Sequence, residues 1–520
     1  MNQSRKLILV ILDGFGEGKD YEGNAVTHAD TKTLDYLRAN YPHALLKSDG
    51  NAVGLPEGVQ GGSEVGHVTI GAGRVVLQAL EEINRSIASG DFFKKETLIN
   101  ACRRVINTPK SALHLIGMIS DQGVHATIEH LFALLKLAKD QGVGKIYIHA
   151  ITDGRDVPER SAKKYIQQLQ KKIEELEMGK GSSSRAIIAS IIGRYYALDR
   201  DSNWDRTARA YDVMVSGEGV RESDPIEAIE NAYGRGIETD YYIDPILLDE
   251  DGIIGDYDSV IFWNFRTDRP RQLTCAFTGE KKIGFTPKKV VHPLFICMGE
   301  FSEKAPVAFP TPKIKNNLGA VLSQHGMKQL RMAETEKYAH VTYFFNSQVH
   351  EPFIGEDRIL IDSKKVSSYA KAPEMSAPEI TERLMKEMGN GNYRVIIVNF
   401  ANCDLVGHSG DFAASVKAVE IIDGVLKKIT EKARSEKYEV LITGDHGNIE
   451  YMIYDEGKER GQPCPSHTRN PVPLILVSED FKNATLRSGE LGDIAPTMLA
   501  ILDIEKPPEM TGGNLIETHQ

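Results

Sequence analysis

Nine short runs of apolar, mostly β-branched residues alternate along the chain with stretches of helical pattern, and that alternation restricts the fold more than any other feature. The runs are Leu7–Leu12, Ala112–Ile116, Lys145–Ala150, Ala186–Ile192, Ser259–Asn264, Val290–Met298, Arg394–Asn399, Glu439–Thr443 and Pro473–Val477. A strand that is apolar at successive positions has no face to offer to water, so both sides of its sheet must be covered. Glu129–Asp140, Pro158–Glu177, Pro378–Met388 and Ala413–Glu431 supply that cover, with apolar residues at three-and-four spacing and Lys and Glu between them. The expectation is an α/β protein with surface helices packed on its sheets.

A length of 520 residues leaves room for two to four folded units. The segment Pro306–Pro312 carries three prolines in seven residues, which disfavours helix and stiffens an extended connection, so a unit ends near residue 305. The longest unbroken apolar run, Leu7–Leu12, falls far short of the ~20 residues that cross a bilayer and reads as a buried strand, not a leader. With 62 Lys+Arg against 73 Asp+Glu, the net charge of -11 has the wrong sign for attraction to nucleic acid or anionic lipid. Neither is expected as a partner. Five cysteines with no C-x-x-C spacing fit neither a disulfide framework nor a structural zinc site, and the expected setting is a monomer in the cytoplasm.

Familiar nucleotide and hydrolase signatures fail. After Gly14 and Gly16 the third glycine of a dinucleotide fingerprint falls at Lys19, no phosphate-binding G-x-x-x-x-G-K-[ST] or H-E-x-x-H occurs, and Gly61–Val65 lacks the last glycine of a nucleophile elbow. What remains is a set of carboxylates and histidines where strands end. Asp13 follows the first run, Asp404 and His408 follow the run ending at Asn399, and Asp445–His446 follow the run ending at Thr443. Ligands of parallel sheets gather at the carboxyl ends of the strands, so these groups converge on one edge. With His467 they make three aspartates and three histidines, about what two divalent cations would take. Each aspartate alone also reads as a cap or turn residue. Ser63, after the glycine-rich Gly58–Gly62, reads locally as a helix cap; its alternative is a nucleophile activated by a base or metal. Arg155, Arg194, Arg200, Arg206, Arg209, Arg266 and Arg269 cluster in the middle third and suggest an anionic small molecule.

Together these residues resemble the cofactor-independent phosphoglycerate mutases of the alkaline phosphatase superfamily, over essentially the whole chain. The matching segments include Leu12–Gly16, Ser63–His67, Ser120–His125, Thr152–Asp156, Gly193–Tyr196, Asn264–Arg269, Glu336–Thr342, Asp404–His408, Gly444–Asn448 and Ser466–Thr468. The resemblance implies one metal on Asp404, His408 and His467 and a second on Asp13, Ser63, Asp445 and His446, with Ser63 as the phosphorylated nucleophile. It places His125, Arg155, Asp156, Arg194, Arg200, Arg266, Arg269 and Lys337 around the phosphoglycerate, with Asp156 as a candidate base. It also implies a discontinuous phosphatase-like dimetal domain, residues 1–75 and 310–520, with a substrate domain, residues 76–309, inserted.

The implied reaction interconverts 3- and 2-phosphoglycerate through phosphoserine, without 2,3-bisphosphoglycerate. Mn²⁺ suits the mixed imidazole, carboxylate and water ligands, with Mg²⁺, Co²⁺ and Zn²⁺ as alternatives. Against a phosphatase of the same superfamily stand the arginines that would hold glycerate between half-reactions; against a scaffold stands the full set of seven ligand positions. The sequence departs from the family where Gly62 and Thr69 replace the usual asparagines, where Ser347–Gln348 replace a glycine pair, and where Thr127 replaces a frequent histidine. Gly62 adds backbone freedom beside a nucleophile that must be well positioned.

Overall fold

The computed structural model describes residues 5–517. The chain divides into two compact units, one built from the segments up to Gln78 and from Lys313 onward, the other from Ala79–Pro312. Both boundaries fall a few residues beyond the expected ones because the flanking chain is tied down. Gln78 donates its N–H to the Gly54 carbonyl at 2.8 Å, while Cys297 donates to Pro306 and accepts from Ala308, each at 2.9 Å. The start of the proline-rich segment is therefore an extra edge on the inserted unit's sheet.

The first unit carries an eight-stranded sheet in the order Glu356–Ile361, Gln329–Glu334, Val395–Phe400, Lys6–Leu12, Tyr438–Gly444, Val472–Val477, His43–Lys47, Gly489–Glu490. Lys6–Leu12 lies between two parallel partners, and its side chains alternate between two cores. Ile8, Val10 and Leu12 join a cluster with Ile380, Leu384, Ile422 and Leu426 of the helices Ala377–Asn390 and Phe412–Glu436. Leu7, Leu9 and Ile11 join another with Val321, Ile494 and Met498 on the opposite face. Double burial explains why the run has no polar alternation. The long helix Phe412–Glu436 starts where Asp411 accepts from the Ala414 N–H and stops at Lys437, which turns left-handed at φ 60°.

The inserted unit has a seven-stranded sheet, Val220–Arg221, Ile246–Leu247, Arg185–Gly193, Lys145–Thr152, Leu113–Met118, Ser259–Phe262, Leu294–Cys297. Both sheets are mixed, not purely parallel. Val472–Val477 runs antiparallel to Tyr438–Gly444 and to His43–Lys47, and Ile246–Leu247 runs antiparallel to Arg185–Gly193. The reversal has a use: the start of an antiparallel strand lies at the edge where parallel neighbours end, so His467, just before Val472, comes to that edge.

Candidate active site

Asp13, Asp404 and Asp445 leave the ends of three adjacent strands of the first unit, Lys6–Leu12, Val395–Phe400 and Tyr438–Gly444. Gly14 makes their approach possible. It is left-handed at φ +72°, and a Cβ there would stand 2.6 Å from the Asp404 Cα. Its N–H and that of His446 both donate to Asp445 Oδ1, at 3.1 and 3.0 Å.

Ser63 opens the helix Ser63–Ala72, but its hydroxyl is not a cap. Its Oγ donates to Asp13 Oδ1 at 3.0 Å, lies 3.0 Å from His446 Nε2, and accepts from Lys337 Nζ at 2.7 Å. The oxygen thus sits at a helix N-terminus, whose dipole favours an anion. Gly62 raises no conformational demand: at φ -168° and ψ 167° it is extended, as any residue can be. A Cβ there would meet only the His467 ring, at 3.5 Å.

Around Asp404 the geometry is compact. His408 and His467 each bring Nε2 to 3.2 Å from Asp404 Oδ1, and the two Nε2 atoms are 3.1 Å apart. Atoms of Asp404, His446 and His467 lie within 4.8 Å of one another, as do those of Asp13, His67 and Asp445. His446 Nε2 also lies 3.5 Å from Asp13 Oδ1 and 3.6 Å from Asp445 Oδ2 and so faces both sets, while His67 stands beside Asp13 and Asp445, which sequence reading grouped with Ser63 and His446. The donors fit divalent metal. His408, His446 and His467 each set Nδ1 against a backbone carbonyl, of Pro465, Gly447 and Gly61 at 2.6, 3.3 and 2.9 Å, which turns Nε2 inward as metal-ligating histidines require. Asp445 Oδ2 is buried with no hydrogen-bond partner among the described residues.

Lys337 stands among these groups. Its Nζ is 2.6 Å from Asp13 Oδ1 and 2.7 Å from Asp404 Oδ2. Burial opposes its charge, but Asp13 and Asp404 outweigh burial and raise its pKa. Burial likewise disfavours the charged Asp13 carboxyl, yet Lys337 and His446 hold it well below the usual carboxylate range. His446 is raised to about 9 against burial, chiefly by Asp445 and Asp13.

The inserted unit gathers its candidates at the carboxyl edge of its own sheet. Arg194, fully buried, bonds through Nη1 to Asp153 Oδ1 at 2.5 Å and to Asp156 Oδ2 at 2.6 Å. Asp268 accepts from Arg200 at 2.5 Å and Arg266 at 3.0 Å. His125 lies between the two carboxylates, 3.8 Å from Asp156 and 4.0 Å from Asp268. Arg269 donates to the Leu198 carbonyl at 3.1 Å; its pKa is lowered by burial and then by Arg194, Arg200 and Arg155. Like charges thus gather in one cluster. Arg206 and Arg209 do not belong to it: they pair with Asp199 and Asp244 and lie over the rings of Tyr195 and Tyr196.

The metalloenzyme superfamily profile matches residues 5–506. The chain is 46% identical over 520 residues to a 2,3-bisphosphoglycerate-independent phosphoglycerate mutase of Moorella thermoacetica, covering 99% of this chain and 98% of that one. It is 48% identical to the mutase of the same name from Methanococcoides burtonii, covering 99% of each. The chain belongs to this mutase family. A crystal structure of Leishmania mexicana phosphoglycerate mutase, determined at low cobalt concentration, superposes with a TM-score of 0.65 at 30% identity, over 99% of this chain and 98% of that one.

For a phosphoglycerate mutase family member, the groups that sequence reading left out of the site are the holders. Asp153 and Asp268 fix the arginines, and Asn399 donates to Asp13 Oδ2 at 2.7 Å. All three stood inside or beside segments already singled out, but nothing in their spacing marks a carboxylate that faces an arginine. Among the described residues no helix is long and apolar enough to cross a membrane.

Proposed function

We propose that the chain interconverts 3-phosphoglycerate and 2-phosphoglycerate by passing the phosphoryl group through Ser63. The observation that carries this reading is the Ser63 hydroxyl held within 3.0 Å of Asp13, His446 and Lys337 at once. A hydroxyl so surrounded by cationic and acceptor groups is poised to lose its proton and to be stabilised as an anion.

Asp404, His408 and His467 would hold one divalent cation and Asp13, Ser63, Asp445 and His446 the other, with Mn²⁺ best suited to these ligands. Bound there, the cations would lower the pKa of the Ser63 hydroxyl and neutralise phosphoryl oxygens. Ser63 Oγ attacks phosphorus, the bond from phosphorus to the glycerate 3-oxygen breaks, and that oxygen takes a proton. The Lys337 ammonium group remains beside Oγ and offsets the charge. Arg155, Arg194, Arg200, Arg266 and Arg269 hold the freed glycerate while it turns. Asp156, oriented by Arg194, moves protons on its two hydroxyls. The 2-hydroxyl then attacks the phosphoserine, and Ser63 is restored.

Because the phosphoryl group is stored on the protein's own serine, 2,3-bisphosphoglycerate is not needed. Five buried free cysteines suit a reducing cytoplasm, and a monomer carries all the groups used here.

The test follows the phosphoryl group. Labelled 3-phosphoglycerate mixed with heavy-isotope glycerate should give 2-phosphoglycerate with phosphate on its original carbon skeleton and little free phosphate, with phosphate on Ser63 by mass spectrometry and no activity in Ser63→Ala. Phosphate as the main product, or free exchange with added glycerate, would identify a phosphatase or an intermolecular transferase instead.

A further inference from the structure

Within the helix that begins at Ser63, one turn further on, lies His67, fully buried and unused by the reaction as written. Its two ring nitrogens face different partners. Nε2 is 3.0 Å from Asn399 Nδ2; Nδ1 is 2.8 Å from the Ser63 carbonyl oxygen and 3.3 Å from Asp445 Oδ2.

The tautomer follows from the far side of the network. Asn399 places the same nitrogen 2.7 Å from Asp13 Oδ2, and an ionised carboxylate only accepts, so the Asn399 amide group must present NH₂ there. Its second hydrogen then points to His67 Nε2, which must carry a lone pair. The ring proton is therefore on Nδ1, bonded to the Ser63 carbonyl at 2.8 Å, with Asp445 Oδ2, a buried oxygen without a hydrogen-bond partner among the described residues, 3.3 Å away as an electrostatic neighbour. Through one imidazole and one amide, the nucleophile's first turn is joined to Asp13 and the ring is set beside Asp445 of the same cation set.

We infer that His67 is a positioning residue that, as the Nδ1–H tautomer, holds Asp13, Ser63 and Asp445 in register for one of the two cations and leaves the Asp404–His408–His467 set untouched. This rests on the two-cation reading above. Groups that orient metal ligands from behind set affinity by about 10- to 100-fold, and the effect should be confined to one site.

The experiment is a calorimetric Mn²⁺ titration of metal-free full-length protein, wild type against His67→Ala, His67→Asn and His67→Gln, with metal-free melting curves as a fold control. Asparagine keeps a donor near Nδ1, whereas glutamine puts its amide near Nε2. Wild type should take up two ions. His67→Ala and His67→Gln should weaken one site by about 10- to 100-fold and leave the other unchanged, and His67→Asn should recover most of the loss. Phosphorylation of Ser63 should follow the weakened site. Two unchanged sites in His67→Ala, equal weakening of both, or rescue by glutamine instead of asparagine would overturn the assignment while leaving the two-cation reading intact. If His67→Ala proves unfolded without metal, the contrast between the asparagine and glutamine variants decides. A wild type that binds only one ion would overturn both.

Discussion

The ammonium nitrogen of Lys337 lies 2.7 Å from the hydroxyl oxygen of Ser63, nearer than the Asp13 carboxylate or the His446 ring. The lysine also spans Asp13 and Asp404, so two buried carboxylates depend on it when no cation is present. Lys337→Met should slow phosphorylation of Ser63 by about 10²–10³, the usual cost of losing one donor at a developing anion. It should also cost metal-free protein about 3–5 kcal/mol by leaving buried charge unpaired. Added Mn²⁺ should recover much of that stability and little of the rate, as read by melting curves with and without chelator beside single-turnover phosphorylation.

Metal uptake should release protons. With His446 raised to about 9, the metal-free site is protonated at neutral pH, and a cation must displace that proton. Affinity should therefore rise with pH up to about 9, and mild acid should abolish activity in a way that excess metal partly reverses. The folded pKa lies above the unfolded one, so His446 stabilises the metal-free protein fully below about 6.5 and loses that contribution between 6.5 and 9. Isothermal titration in two buffers of different ionisation enthalpy counts the protons. Activity indifferent to chelation would exclude the metal reading.

His125 should behave in the opposite sense. Burial, then Arg194 and Arg266, push it down to about 4. Its stabilising contribution is complete above about 6.5 and is lost as pH falls from there to 4, up to about 3 kcal/mol. His125→Asn should flatten that part of the stability profile and reduce turnover, yet leave the acid limb of activity between pH 5 and 7 in place, because that limb belongs to the first unit's histidines. Denaturant melts at stepped pH, paired with pH–rate profiles, separate the two effects.

Gly62 and Gly14 should respond differently to a side chain. Gly62→Asn enters extended backbone with ordinary contact to His467 and should change stability by less than about 0.5 kcal/mol while keeping activity. Gly14→Ala meets the Asp404 backbone at 2.6 Å in a left-handed turn, so it should abolish activity even where the protein remains folded. Circular dichroism and the coupled mutase assay distinguish these outcomes.

All nine strand runs read from the sequence are strands, because double burial writes itself as continuous apolar pattern. Gln329–Glu334 escaped that reading although every residue in it is buried. Arg331 interrupts the run, and it is accommodated by stacking over Phe345 and by donating to Gln329 Oε1 at 2.7 Å. His43–Lys47 escaped because most of it is solvent-facing. At the site, strand-end aspartates and histidines were legible because ligands collect where strands end. Lys337 was legible only through its family segment: no local pattern connects its ammonium group to Ser63, which tertiary packing brings to 2.7 Å. His67 was quoted within a motif, and its role depends on Asn399 and Asp445, which no local pattern connects to it.

The central strand of the first unit is the first one made, and its neighbours are Val395–Phe400 and Tyr438–Gly444. At roughly 5–20 residues per second of synthesis, Lys6–Leu12 waits some tens of seconds, apolar on both faces, before either partner emerges from the ribosome. In that interval all the strands of the inserted unit, Leu113–Met118 through Leu294–Cys297, have already been translated. The nascent chain therefore needs a strand that is apolar on both faces shielded while a different part of the molecule folds, and the half that is begun first is completed last.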